Sequence, residues 1–280
     1  MLYLIATPIG NLADFSQHAI SVLRACDLIL CEDTRHSRTL LQHHRIDRPL
    51  LAFHQFNEKS MEERVLRQLK EGRSIALISD AGTPLISDPG HALVRACIEN
   101  DLPFTAIPGP CSIIQALVLS GFDSEHFQFI GFLPRKQNAL ESILRRALFY
   151  QGTTIAFESP ERLCETLEVV VRIDPQRRVA LARELTKMHE ECVRATASEI
   201  LNHFQTHPPR GEFVILIEKG KPPEMKMELE ELVKLLQELH GLSLKEAITA
   251  TAKLSDLPKK TVYQFIHHSS ELGSKSNENE

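Results

Sequence analysis

Short apolar runs alternate with amphipathic stretches along most of the chain. The first strand-length runs are "LYLIAT" (2–7), "LILCED" (28–33), "LLAF" (50–53), "SIALIS" (74–79) and "FTAIP" (104–108). Between them apolar residues recur at helical spacing, as in "SQHAISVLRAC", "EKSMEERVLRQLKEG" and "GHALVRACIEN". Several of the runs lack polar alternation, as strands covered by helices on both faces should. This is an α/β pattern. A second series reads "FQFIGF" (127–132), "TTIAFES" (153–159), "RVALAREL" (178–185) and "EFVILIE" (212–218), with helices predicted between. Ser159 before Pro160, and Thr196-x-x-Glu199 as a capping box, mark two of their starts.

The pattern changes at "KGKPPEMKM" (219–227), after which no strand is predicted. Three short helices follow, the first stopped by Gly241, the second opened by a Ser243-x-x-Glu246 box, the third by Pro258. Three such helices bury little apolar area alone, so docking on the body or on a second copy is expected. The predicted division is an N-terminal α/β domain with ligand loops over 1–120 and a second α/β domain over 121–220. A helical extension over 221–270 and a disordered tail over 271–280 complete it.

Composition narrows the class. The chain has 280 residues, 42% hydrophobic and 25% charged, enough for two globular cores. No apolar run reaches the length of a membrane span, and no membrane partner is expected. "MLYLIATPIG" lacks a basic start and breaks at Pro8, so no secretory signal is predicted. Six cysteines without a C-x-x-C point to a reduced, cytoplasmic protein, and thirteen histidines without H-E-x-x-H point to no metal. A net charge of −5 argues against a surface that coats nucleic acid throughout. It leaves room for two basic segments, 35–48 and 134–146.

Candidate chemistry gathers where runs end, because ligands in open α/β sheets bind outside the carboxyl ends of strands. Three turns fall there: Thr7-Pro8-Ile9-Gly10-Asn11, Ser79-Asp80-Ala81-Gly82-Thr83-Pro84 and Pro108-Gly109-Pro110-Cys111-Ser112. None carries the lysine of a phosphate loop, and "ATPIGN" is no G-x-G-x-x-G. They suit a ligand of little net negative charge held by backbone groups and a few carboxylates or hydroxyls. S-adenosylmethionine has that character, as do other ligands. Asp88-Pro89-Gly90 reads as a helix cap, with Asp88 as acceptor and Pro89 at the first position. Charged pairs at other strand ends are Glu32, Asp33 and Arg35, and Arg183 with Glu184.

In order, "LYLIATPIGNLADFS", "LILCEDTRHSRTLL", "LISDAGTPLISDPG", "IPGPCS", "FIGFLPRK", "FESPERL" and "GEFVILIEKG" resemble the small-subunit ribosomal RNA methyltransferase I group of the tetrapyrrole-methylase superfamily. The resemblance covers about residues 2–220, and the helical extension matches in character. It implies two α/β domains of tetrapyrrole-methylase type with a small C-terminal helical extension, S-adenosylmethionine in the cleft between the domains, and a homodimer. It also implies 2′-O-methylation of a cytidine ribose in the decoding region of small-subunit ribosomal RNA, in an assembled or nearly assembled subunit. The porphyrin-acting members resemble one another in a G-x-G-P-G-D first loop, where this chain has Ala6 to Asn11. That departure weakens a tetrapyrrole substrate. Carried onto this chain, the cofactor would touch Pro8, Asp80, Ala81, Gly82, Thr83, Pro84, Ser112, Ile113, Phe157 and Phe213. A ribose hydroxyl is a poor acid, so Glu32 or Glu184 is expected as proton acceptor, with Asp33 beside it and Arg35 and Arg183 toward the phosphate backbone. The competing readings are a small-molecule (tetrapyrrole) methyltransferase and a ligand-sensing regulator with a C-terminal helix-turn-helix.

Overall fold

The computed structural model describes residues 1–220, 229–255 and 257–266. His267, His268 and the expected disordered tail lie outside them. Met1–Gly220 forms one compact unit and the described residues beyond it belong to a second.

The first series of apolar runs becomes an all-parallel sheet of β1 (Leu2–Ile5), β2 (Leu28–Cys31), β3 (Leu50–Ala52), β4 (Ile75–Ile78) and β5 (Phe104–Ile107), in the order β3-β2-β4-β1-β5. Helices α1 (Gln17–Ala25) and α2 (Thr34–His43) supply apolar residues to one face, where Ile20, Leu23 and Leu40 meet Ile5, Ile29 and Ile78. On the other, α3 (Glu58–Lys70) and α4 (His91–Glu99) bring Val65, Leu69 and Leu93 onto Leu2, Leu30 and Leu77. Coverage on both sides explains the unbroken apolar runs of β2 and β4, each buried along its whole length.

The second sheet is mixed. It contains β6 (Phe127–Phe132), β7 (Thr153–Glu158), β8 (Arg178–Arg183), β9 (Glu191–Thr196) and β10 (Phe213–Ile217), in the order β6-β7-β10-β8-β9. Helices α6 (Gln137–Phe149), α7 (Pro160–Ile173) and α8 (Ala197–Thr206) bury one face through Leu140, Leu144, Leu163, Leu167, Ile200 and Leu201. The other face receives α5 (Ser112–Ser120), the helix that leaves the first sheet after β5. Strand β9 has no counterpart in the sequence reading. "ECVRAT" lies at the sheet edge, pairs only with β8, and carries Glu191 and Arg194, so its apolar signal is weak.

Helix starts follow local chemistry closely. Thr196 and Ser243 both form complete capping boxes, and Pro160 opens α7. The expected Asp88 cap is corrected. Gly90 is the N-cap of α4, at φ 122° and without a side-chain cap, and its N–H donates to Glu58. The left-handed backbone at Leu85 and Ser87 turns the segment away before Asp88 reaches the helix end.

The second unit comprises α9 (Leu229–His240), α10 (Leu244–Leu254) and a helix over 259–266. Its described residues enclose a small core of their own, Val233, Ala247, Ile248, Ala252 and Val262. Alanines and valines let these short helices approach closely enough to enclose it.

One buried polar network organises the second sheet's connections. The Glu158 side chain is fully buried, accepts the Ser159 N–H and the Thr166 hydroxyl (2.9 and 2.6 Å), and pairs with Arg162 at 3.2 Å. The same guanidinium donates to the Leu133 and Pro134 carbonyls, pinning the turn that carries Arg135 and Lys136. Arg162→Leu strands a buried carboxylate and two carbonyls together. It should cost about 3 kcal/mol, read as a fall in the urea midpoint of unfolding. An unchanged midpoint would show the network to be dispensable.

Candidate active site

Strand order decides which loops meet. With β2, β4, β1 and β5 side by side, the segments after their carboxyl ends are neighbours. Thr7 and Gly82 exchange backbone hydrogen bonds of 2.9 and 3.0 Å across an isolated bridge. The Thr7 hydroxyl donates to the Ser79 carbonyl, and the Ser79 hydroxyl to that of Gly82. Thr83 donates to the Pro110 carbonyl at 3.3 Å, and the Asp33 N–H donates to the Asp80 carboxylate at 3.3 Å. All four loops are thus tied into one ledge. Gly82 sits at φ 83°, and a Cβ there would lie 3.3 Å from Ile9 Cγ2. The glycine is therefore required by the left-handed turn and by the closeness of Ile9.

The ledge is acidic. Asp80 and Asp88 are half-buried beside exposed Glu32. Burial, and then the charges of Glu32 and Asp80, raise the Asp88 carboxyl to about 6. Asp33 is engaged differently. It caps α2 and grips Arg35, whose side-chain and backbone N–H groups hold it down at about 2. Arg35 itself is pulled up by that bond. Asp88 is the member of this group that sequence reading assigned elsewhere; its signal was an acid between two left-handed turns, which reads as a cap until the backbone is known.

The second sheet supplies the other side. Ile9, Ile113, Ala116 and Leu117 pack on Ile155, Ala180, Ala182, Val214, Leu216 and Leu185, with Phe129 and Phe157 at the margin. Phe157 and Phe213 do not come together. Val214 pairs with Phe157 across the strands and Phe213 with Glu158, so the two phenylalanines point to opposite faces. Phe213 is buried against Phe204 in the far core, and Phe157 lies against Phe129 and Phe132. Of the remaining first-sheet candidates, Pro8 and Pro84 are buried, Ala81 is exposed, and Ser112 is half-buried in the first turn of α5. No side chain caps that turn, since Cys111 makes no such bond.

Arg183 and Glu184 lie at the end of β8. Arg183 donates to the Arg210 carbonyl and faces Glu191 at 3.5 Å. Glu184 accepts the Glu212 N–H at 2.9 Å, which, ahead of the Lys187 ammonium, lowers its pKa. It is an anchored acceptor, held by Glu212 and Lys187.

These features fit S-adenosylmethionine better than a phosphate ligand. A half-buried acidic ledge repels phosphate and favours a cationic ligand. The uncapped amides of α5 suit a carboxylate, and half-buried Phe157 offers apolar surface. The six cysteines are free thiols in no ligand array, and among the described residues no helix is long and apolar enough to cross a membrane.

The raised Asp88 carboxyl has a measurable consequence. Its folded value of about 6 exceeds the ordinary 3.8, so its contribution to stability is complete below 3.8 and is lost as pH rises through about 6. Asp88→Asn removes that loss. Its gain in thermal midpoint over wild type should grow between about pH 4 and about pH 8, and Asp80→Asn should shift the Asp88 titration downward in carbon NMR. A pH-independent difference would place Asp88 in water.

Comparison with known proteins agrees with this architecture. Residues 1–201 match the family model of tetrapyrrole (corrin/porphyrin) methylases. A ribosomal RNA small subunit methyltransferase I of Escherichia coli O157:H7 is 42% identical over 267 residues, covering 94% of this chain and 93% of the relative. One from Thermotoga maritima is 42% identical over 216 residues, covering 77% of this chain and 97% of its own. Among solved structures, diphthine synthase superposes with a TM-score of 0.58 at 13% identity, covering 78% of this chain and 90% of that one. Uroporphyrin-III C-methyltransferase from Thermus thermophilus gives 0.53 at 19%, covering 78% and 94%. The two low-identity structures establish the fold. With the ordered motifs, the two-sheet body and relatives matched nearly end to end, the chain belongs to the tetrapyrrole methylase family, in the branch whose curated members are named ribosomal RNA small subunit methyltransferase I.

Proposed function

We propose that the chain transfers a methyl group from S-adenosylmethionine to the 2′-hydroxyl of a cytidine ribose in the decoding region of small-subunit ribosomal RNA. The observation that carries this reading is sequence identity of about 40% over about 95% of the chain with relatives bearing that methyltransferase name. The porphyrin enzyme matched at 19% identity shares the fold, and its substrate does not transfer on that basis. The acceptor is an assembled or nearly assembled subunit, and the working form is a cytoplasmic homodimer.

The cofactor would be held by Pro8, the Asp80–Pro84 turn, the first turn of α5 at Ser112 and Ile113, and Phe157. Phe213 contributes from behind, by seating β10 so that Val214 faces the joint. When bound, the cofactor supplies an electrophilic methyl group on a positively charged sulfur. The tied loops contribute alignment and exclusion of water, which together account for much of the acceleration of an in-line displacement. As the ribose oxygen gains the methyl group, its proton needs an acceptor. Glu32 fits this role better than Glu184, because it is exposed at the ledge while Glu184 is occupied by Glu212 and Lys187. Asp33 orients Arg35, and Arg35 and Arg183 serve the RNA phosphates at their respective strand ends.

Purified protein with methyl-labelled S-adenosylmethionine and small ribosomal subunits should place label in the RNA, at a ribose 2′-oxygen by mass mapping. Label confined to a tetrapyrrole, or cofactor binding without turnover, would overturn the reading. The basic segments give a second expectation. Arg38, Arg135 and Lys136 are exposed, and the exposed Arg35 side chain bonds to Asp33. Neutralising all four should flatten the salt dependence of RNA binding by about 0.7 to 0.9 in log–log slope for each phosphate that is no longer neutralised. Cofactor affinity should stay within about two-fold, a shift of only ~0.4 kcal/mol. An unaltered slope would move the RNA footprint elsewhere.

A further inference from the structure

The loop that joins β8 to β9 holds two non-glycine residues in left-handed backbone, Glu184 at φ 49° and Thr186 at φ 63°. Such conformations are unfavourable for residues with a Cβ and persist where the surroundings over-determine them. Here the surroundings do. The Glu184 carboxylate accepts from the Glu212 N–H and from the Lys187 ammonium, and that ammonium also reaches Glu212 at 3.0 Å. The Thr186 N–H donates to Glu190 at 2.6 Å, while its hydroxyl accepts from the Asn11 N–H at 3.0 Å. Across from it lies Gly10. A Cβ on Gly10 would fall 2.5 Å from Lys187 Cγ and 2.7 Å from Thr186 Oγ1, so the two loops touch backbone to side chain.

A second-sheet loop is thus built rigidly against the first-sheet turn that carries Thr7 and Pro8. The side chain it presents next after that contact is Met188, which is 94% exposed, followed by exposed His189. None of the hydrogen bonds and ion pairs that fix the loop uses Met188. Exposure alone does not single Met188 out, since isolated apolar side chains are common at protein surfaces. Its position does: it is the residue directly after Lys187, which touches the Gly10 turn, on a loop held in strained backbone.

We propose that Met188 is a substrate contact, packing its thioether on a nucleoside of the RNA acceptor as that acceptor enters beside the Pro8–Asn11 turn, with Glu184 and Lys187 as positioning residues. This rests on the RNA reading above. The chemistry fits because every base offers a π-face without sequence preference, and a polarisable thioether packs favourably against aromatic rings. It also gives Glu184 a role consistent with its saturated carboxylate: it shapes the lip of the acceptor site instead of removing a proton.

The test uses the full chain and small ribosomal subunits, with initial rates of methyl transfer at varied subunit concentration. Met188→Ala should raise the KM for the subunit about five-fold, the scale expected when one base loses its stacking surface, and Met188→Asp should raise it further. Met188→Leu should restore most of the affinity. Because Met188 is 94% exposed and takes no part in the hydrogen bonds and ion pairs among the described residues of its loop, kcat, S-adenosylmethionine affinity by calorimetry and the thermal midpoint should stay at wild-type values. Alanine and aspartate variants with wild-type KM would overturn the proposal while leaving the methyltransferase reading standing. Loss of cofactor affinity or of thermal stability equal to the loss of activity would also overturn it, by assigning Met188 to the frame. Wild-type protein that transfers no methyl group to the subunit would overturn both.

Discussion

The apolar joint between α5 and the second sheet is the contact on which the site depends. This helix leaves the first sheet at Pro108–Ser112 and spends its buried side, Ile113, Ala116 and Leu117, on Ile155, Ala180, Ala182, Val214 and Leu216. Ile9 from the first loop and Leu185 from the loop after β8 close the same cluster. Burial of apolar surface contributes about 25 cal/mol per Å². The residues that fasten the two sheets together are therefore the same residues that set the cleft's loops beside one another. A change in the joint is felt in the site without touching a ligand.

Around that joint, polar groups convert packing into defined loop positions. The Thr7–Gly82 bridge and the Ser79 and Thr83 hydroxyls tie the loops through neutral hydrogen bonds. This leaves the carboxylates of Asp80, Asp88 and Glu32 without cations among those bonds. Left-handed residues cluster in two places near this region, at Gly82, Leu85, Ser87 and Gly90 and at Glu184 and Thr186. Strain of this kind concentrates where surroundings over-determine the backbone, as at the Thr7–Gly82 bridge and the Asn11–Thr186 contact.

The second unit follows a different logic. Its described residues enclose an apolar cluster of Val233, Ala247, Ile248, Ala252 and Val262, in helices opened by a capping box and by Pro258. The Thermotoga maritima relative devotes 97% of its length to 216 residues matched in this chain, which leaves no length for a further unit of this size.

Patterning alone determined the two series of strands and most helix positions, because a strand buried on both faces cannot hide its apolar run and caps are local. It also excluded phosphate loops, since those need a lysine at fixed spacing. Strand β9 escaped because an edge strand needs little apolar surface, and the Asp88 cap was misread because two left-handed residues nearby redirect the chain. Only the tertiary structure decided that α5 belongs to the second sheet's face, that Phe157 and Phe213 point apart, and that Glu184 is saturated by Glu212 and Lys187. Apart from Lys187, which is local to Glu184, these depend on partners roughly 30 to 100 residues away, through strand register and packing at a distance that local periodicity does not encode.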